Sequence, residues 1–174
     1  MSIRQLSTRV VYRNPWMTVR EDEVERDNGH RGIYGVVEKH DSAVILPIDG
    51  DHIYLVEQFR YPIGRCSLEL PQGSLERPGL APEAIAREEL AQETGLLAAK
   101  LELLGSFIIA IGYSNQRDCA FLATGLTLGE RSPDREEHDL VLHRVSLGEF
   151  EEKIRSNDID DAQTLAAWAL YRAR

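Results

Sequence analysis

Glu89 and Glu93 stand four residues apart in the stretch Glu88-Glu89-Leu90-Ala91-Gln92-Glu93-Thr94-Gly95-Leu96. On a helix that spacing sets them about 40° apart on one face. Gln92 falls about 60° to the other side of Glu89, so the three polar side chains form one patch, with Ala86 and Leu90 on the adjoining, core-facing side. Two carboxylates so placed repel by a few tenths of a kcal/mol when exposed. A divalent cation reverses the sign, and magnesium is held by one or two carboxylates together with substrate phosphates. A solvated acidic helix face has the same spacing, so the patch takes its meaning from what precedes it. That is Leu70-Pro71-Gln72-Gly73-Ser74-Leu75-Glu76, a loop whose glycine lets backbone groups approach a ligand closely. The carbonyl of Gln72 or Gly73 is then a further oxygen donor.

The elements that must position these groups are partly legible. Residues 17–25 and 32–38 read as strands around Asp27-Asn28-Gly29, a hairpin signal. Residues 42–48 and 52–56 flank Asp49-Gly50-Asp51 and read as a second hairpin. A loop-rich segment, 61–79, leads to a helix that starts near Pro82 and stops at Gly95. Strands are expected at 101–110, 117–124 and 139–145. Helices are expected at 147–155 and 160–172, the last capped by Asp160 or Asp161. Strands before and after one central helix describe an α+β protein with a mixed sheet rather than a regular βαβ alternation.

With the helix and loop in place, the sequence resembles the Nudix hydrolases. Their signature runs from a glycine, matched by Gly73, to a helix end matched by Glu89, Leu90, Glu93, Gly95 and Leu96. The flanking run Val56-Glu57-Gln58-Phe59-Arg60-Tyr61-Pro62, leading to Leu68-Glu69-Leu70-Pro71-Gln72-Gly73, is similar to the branch that cleaves ADP-ribose and nucleotide sugars. The box departs from the family by three substitutions and one insertion. Leu80 stands for its first Glu, Glu88 for its Arg and Gln92 for one Glu of its Glu-Glu pair, and one extra residue sits within Glu76-Arg77-Pro78-Gly79. The first two departures remove an ion pair together, which leaves no unpaired charge.

The resemblance implies an α/β/α sandwich over residues 41–174 and a β-rich N-terminal element, residues 1–40, that joins two copies into a homodimer. It implies Mg²⁺ (or Mn²⁺) held by Gln72, Gly73, Glu89, Gln92 and Glu93, with Glu89 and Glu93 as the catalytic carboxylates. A further catalytic Glu, Glu136 or Glu137, comes from the loop after the box, and His138 is an alternative base. The implied reaction is hydrolysis of the diphosphate in a nucleoside diphosphate linked to another group. A nucleotide-binding regulatory module that does not hydrolyse is the alternative, favoured by Leu80, Glu88 and Gln92.

For the substrate, Arg60 and Arg65 are placed to grip phosphate through paired N–H donors, or to pair with Glu57 or Glu69. Glu69 is placed to brace the loop or to bind a ribose. Tyr34 and Tyr113, with Tyr12 and Trp16, are the candidates for base stacking. Trp168 and Tyr171 are assigned to the core, His143 is given a structural role, and Cys66 and Cys119 are read as buried, reduced thiols.

Composition bounds the partners. The 174 residues carry 20 Lys+Arg against 29 Asp+Glu, a net charge of −9. Such a chain is a poor nucleic-acid binder and needs a local inversion of charge to bind an anionic diphosphate. Only Lys39, Lys100 and Lys153 are lysines. Arginine suits phosphate, although a GC-rich genome gives the same bias. No apolar run approaches the ~20 residues that cross a bilayer, so no membrane association and a cytoplasmic location are expected.

Overall fold

The computed structural model describes residues 2–74, 79–129 and 139–174. The chain forms two units, Met1–Asp41 with Ile108–Arg117, and Ser42–Phe107 with Asp118–Arg174. The first unit is an antiparallel sheet of β1 (Ile3–Arg13), β2 (Thr18–Arg26) and β3 (Arg31–Glu38), in that order. β2 and β3 are the hairpin expected around Asp27-Asn28-Gly29. β1 extends that hairpin to three strands. Its register shifts between Gln5 and Ser7 and again between Val10 and Tyr12. Two bulges, at Leu6 and Val11, break the period-2 alternation by which a strand is recognised. Ion pairs Arg4–Glu25 and Arg9–Glu21 accompany the ladder. The 108–117 segment is tied to this sheet where the Val37 N–H donates to the Tyr113 carbonyl at 2.7 Å and the Ser114 hydroxyl donates to the Val37 carbonyl at 2.9 Å.

In the second unit β4 (Ser42–Asp49) and β5 (His52–Arg60) are the expected hairpin. A short helical turn, Tyr61–Ile63, leads to β6 (Arg65–Glu69), which pairs with β5, and then to β7 (Gln72–Gly73), which pairs with β4. β8 (Leu96–Ile108), β9 (Arg117–Leu128) and β10 (Val141–Ser146) complete a sheet with the order β10-β5-β4-β9-β8. β4 runs parallel to β9 and antiparallel to β7, so the sheet is mixed.

β4 is buried from Ser42 to Ile48 because both of its faces are covered, which is why its sequence reads as an unbroken apolar run. Val44, Leu46 and Ile48 pack with Ile53, Leu55, Leu70, Phe150 and Trp168. Here α2 (Leu147–Arg155) and α3 (Ala162–Arg172) cover the sheet. Ala43 and Ile45 face the other way, into Ile85, Ala86, Leu90 and Phe121, where α1 (Pro82–Glu89) packs. The result is helix, sheet, helix, as the resemblance implied. Trp168 and Tyr171 join the first cluster as expected, their rings 5.1 Å apart. Leu80, one of the three substitutions, packs against the second.

Three local readings are corrected. The expected single helix from Pro82 to Gly95 is α-helical only to Glu89, and Leu90–Thr94 form a widened π-type turn. The Thr94 hydroxyl donates to the Leu90 carbonyl, an insertion into the helical ladder that neither spacing nor composition announces. Gly95 then ends the element at φ 73°, a conformation that glycine adopts without Cβ strain. Cys66 and Cys119 are free as expected, but Cys66 is exposed and Cys119 half-buried. Among the described residues no helix is long and apolar enough to cross a membrane.

Candidate metal and substrate site

β7 is the hinge of the site. It is held to β4 by the pairs Val44–Gln72 and Ala43–Gly73 and by the Ile45 N–H donating to the Pro71 carbonyl at 2.9 Å. From there it meets two helical elements. The Leu70 N–H donates to Thr164 Oγ1 on α3 at 2.9 Å, and the Gln72 N–H donates to Glu93 Oε2 at 3.0 Å. Asp161 caps α3 by accepting from the Thr164 N–H at 2.8 Å, so it is Asp161, not Asp160, that starts that helix.

The two carboxylates are not a solvated face. Glu89 is 6% exposed and Glu93 1%, and burial removes the screening that makes exposed charge pairs weak. Gly73 lies against Glu89 so closely that a Cβ there would fall 2.5 Å from Cδ and Oε2 and 2.6 Å from Oε1. A glycine that cradles one carboxylate, beside a backbone amide that fixes the other, suits a small hard cation. Among the described residues no cluster of three or more His, Cys, Asp or Glu could hold a metal. Two carboxylates with neutral oxygen donors match the magnesium pattern, in which the remaining ligands come from water and substrate. Gln92 lies on the same turn and is only half-buried.

A Gly73→Ala substitution tests the cradle. The added methyl must displace either a buried carboxylate or the β7 strand, and misplacement by ~1 Å can cost about 10²-fold in rate. The expected result is a fall in kcat of roughly 10- to 100-fold with the protein still folded by circular dichroism; full activity would show that Glu89 has no fixed position to keep.

Arg60 and Glu69 are paired with each other. Arg60 Nε donates to Glu69 Oε1 at 2.9 Å and Nη2 to Oε2 at 2.5 Å. Burial pushes the Glu69 carboxyl up, but the Arg60 hydrogen bonds and charge, with help from Gln72 and Ser67, outweigh it and hold the pKa below the usual carboxylate value. Arg60 is raised, first by the Glu69 hydrogen bonds and, against its own desolvation, by the charges of Glu69, Glu93 and Asp161. Two of its five donors are thus engaged with Glu69 among the described residues. Arg65 pairs with Asp160. These residues, with Gln72 and Asp161, line a cavity of about 400 Å³, within the usual ~300–1,000 Å³ of a small-molecule site.

The remaining candidates are more scattered. Tyr34 is half-buried and Tyr113 is 59% exposed, and both belong to the first unit. Tyr12 and Trp16, in the same unit, are 56% and 53% exposed. His143 has the structural contact expected of it, with Nε2 2.8 Å from Glu57 Oε2. Glu136, Glu137 and His138 lie outside the described residues. The residues that the sequence did not single out for the site are Thr164, which anchors Leu70, and Gln163, whose Nε2 donates to Asp118 Oδ2 at 2.6 Å. Asp161 was legible only as a cap, although a carboxylate has lone pairs left after capping.

Comparison with known proteins gives the family and the fold. A family model described as "NUDIX domain" matches residues 38–168, and one described as "Nucleoside diphosphate sugar hydrolase N-terminal domain" matches residues 3–37. The chain is 32% identical over 148 residues to an ADP-ribose pyrophosphatase of Bacillus subtilis (strain 168), covering 84% of this chain and 80% of the relative. It is 28% identical over 166 residues to a methanol dehydrogenase activator of Bacillus methanolicus, covering 94% and 89%. A crystal structure of ADP compounds hydrolase superposes with a TM-score of 0.87 at 24% identity, covering 99% of this chain and 94% of that one, and so shares the fold.

Proposed function

The chain belongs to the Nudix family, and from that premise we propose that it hydrolyses the diphosphate linkage of a nucleoside diphosphate joined to another group, ADP-ribose or a nucleotide sugar first. Water attacks one phosphorus, the bridging P–O bond breaks, and a nucleoside monophosphate and a sugar phosphate leave. The observation that carries this reading is the buried pair Glu89 and Glu93, set against the Gln72–Gly73 strand. The name of the Bacillus subtilis relative supports the substrate class.

Members of this family use divalent metal, and we assign Mg²⁺ or Mn²⁺ here to Glu89 and Glu93 with oxygen donors from Gln72, Gly73 and Gln92. Bound there, the metal supplies charge neutralisation at the phosphates and activation of the attacking water. The protein's own part is positioning. The Gln72 N–H fixes the Glu93 carboxylate, Gly73 makes room for that of Glu89, and Arg60 turns the N–H donors that Glu69 does not engage toward the diphosphate. Glu136 or Glu137 is assigned the base, and Tyr34 and Tyr113 the nucleoside base, by resemblance.

The test is nucleoside monophosphate release from a panel of nucleoside diphosphate derivatives, with metal and with EDTA. Turnover with Mg²⁺ or Mn²⁺ that EDTA abolishes is expected. Binding without turnover across the panel would replace the enzyme with the regulatory module.

The first unit is assigned to homodimerisation. Val10, Val11, Tyr12 and Ile33 are 49–68% exposed, an apolar content that a small sheet seldom leaves in water. Sedimentation at micromolar concentration is expected to give twice the 19.7 kDa chain mass; a monomer would remove this assignment and leave the chemistry untouched. The free thiols of Cys66 and Cys119 fit a reducing compartment such as the cytoplasm.

A further inference from the structure

Leu70-Pro71-Gln72 leads into Gly73 and offers only two backbone N–H groups, because proline has none. The Gln72 N–H donates to Glu93 Oε2 at 3.0 Å, and the Leu70 N–H donates to Thr164 Oγ1 at 2.9 Å. The two acceptors reach the run from opposite faces of the sheet. Thr164 lies on α3, and Leu70 packs with Phe150, Ala167 and Trp168. Glu93 lies in the turn that follows α1, beside Leu90 of the other cluster. Among the described residues Thr164 has no hydrogen bond to Glu89 or Glu93. It is joined to them only through the strand that lies between.

The hold on that strand is close. Leu70 and Thr164 are both 0% exposed, so bulk water does not reach the Leu70 N–H to take the place of the hydroxyl. Asp161 accepts from the Thr164 N–H at 2.8 Å, which caps α3 by the backbone and leaves the hydroxyl to Leu70. The same helical turn supplies a longer tie, Gln72 Nε2 to Asp161 Oδ2 at 3.3 Å. A buried donor left without an acceptor costs more than the bond was worth. Without the Thr164 oxygen the run relieves that cost by moving. What moves with it is the Gln72 N–H that seats Glu93, and Gly73, whose missing Cβ makes room for Glu89.

We propose that Thr164 is a positioning residue for the metal-binding carboxylates: from the far face of the sheet, its hydroxyl fixes the Leu70–Gly73 run on which Glu93 and Glu89 are seated. The proposal rests on the reading of those two carboxylates as metal ligands.

The experiment compares wild type with Thr164→Val, which keeps the shape and the capped N–H but has no acceptor, and Thr164→Ser, which restores the oxygen. Tyr171→Leu, two turns along α3, is the control that loosens the helix from the core without touching the Leu70 bond. kcat and KM for ADP-ribose with Mg²⁺ are measured well below every melting transition, and Mn²⁺ uptake is measured by electron paramagnetic resonance without substrate. Thr164→Val is expected to lower kcat about 10- to 100-fold with KM nearly unchanged, and to weaken Mn²⁺ binding about 10-fold or more. Thr164→Ser is expected to keep both near wild type, and Tyr171→Leu to lower the melting temperature alone. A Thr164→Val protein that melts earlier but keeps its kcat and Mn²⁺ affinity overturns the proposal and leaves the hydrolase standing. So does an equal loss in Thr164→Ser or in Tyr171→Leu. If no protein of the set turns over substrate but the valine variant alone loses Mn²⁺ affinity, the positioning role holds and the hydrolase falls. A wild type that takes up no Mn²⁺ overturns the proposal together with the metal reading.

Discussion

Glu93→Gln is expected to lower kcat by about 10²–10³-fold or more, the size seen when a group that stabilises transition-state charge is lost, while the melting temperature stays within ~2 °C. The two halves of that expectation come from one geometry. Glu93 is 1% exposed and accepts a hydrogen bond from the Gln72 N–H. A glutamine of the same shape keeps an oxygen for that bond, so the fold loses little. What it loses is the negative charge, and a buried divalent cation depends on charge more than on shape. Steady-state kinetics with Mg²⁺ and Mn²⁺, together with thermal denaturation in EDTA, separate the outcomes. Retained kcat would remove Glu93 from the metal site. A large fall in melting temperature together with kcat would make Glu93 a structural residue whose loss merely unfolds the loop. Glu89→Gln is expected to behave alike in rate.

What could be read from the sequence follows from how locally each feature is encoded. The β4–β5 hairpin, the start of α1 at Pro82 and the Asp161 cap are short-range signals, and they stand in the structure near where their residues place them. The i,i+4 spacing of Glu89 and Glu93 located a patch. It did not show that the patch is buried, because burial is set by Gly73 sixteen residues upstream and by the pairing of β7 with β4. β1 escaped notice because two bulges scramble its alternation, and the π-type turn because one threonine hydroxyl makes it. The setting of Gln72 was the least legible feature. Glu69, Glu93 and Asp161 reach it from three elements up to 89 residues away in the chain, and no local rule brings them together. Arg60 and Glu69 stood open between gripping phosphate and pairing. Their residue types fit both, and only β5 and β6 lying side by side joins them.

That pair supports a second large effect, and an asymmetric one. Glu69 is 3% exposed at its side chain and Arg60 38%. Removing one partner of a fully buried pair costs about 3–5 kcal/mol because the other charge is stranded. Arg60→Met strands Glu69 where water cannot reach it, so a cost of about 2–3 kcal/mol is expected after discounting for the partial exposure of Arg60. In a chain of this size that is a fall in melting temperature of roughly 5–10 °C at pH 7. Glu69→Gln strands only an arginine that solvent already reaches and keeps an oxygen for it, and should cost about 1 kcal/mol. pH supplies the sharper test. In the native protein the Glu69 pKa lies below its ordinary 4.5, so its contribution is fully present above that value and is lost as pH falls through the depressed one. Without Arg60, burial becomes the dominant influence and the pKa rises, so the variant takes up its proton at higher pH and gains relative stability as pH falls. The gap in melting temperature between wild type and Arg60→Met should therefore narrow from pH 7 to pH 4. A gap that stays constant over that range, or equal costs for the two substitutions, would mean that the Glu69 carboxylate is solvated and that the pair braces nothing.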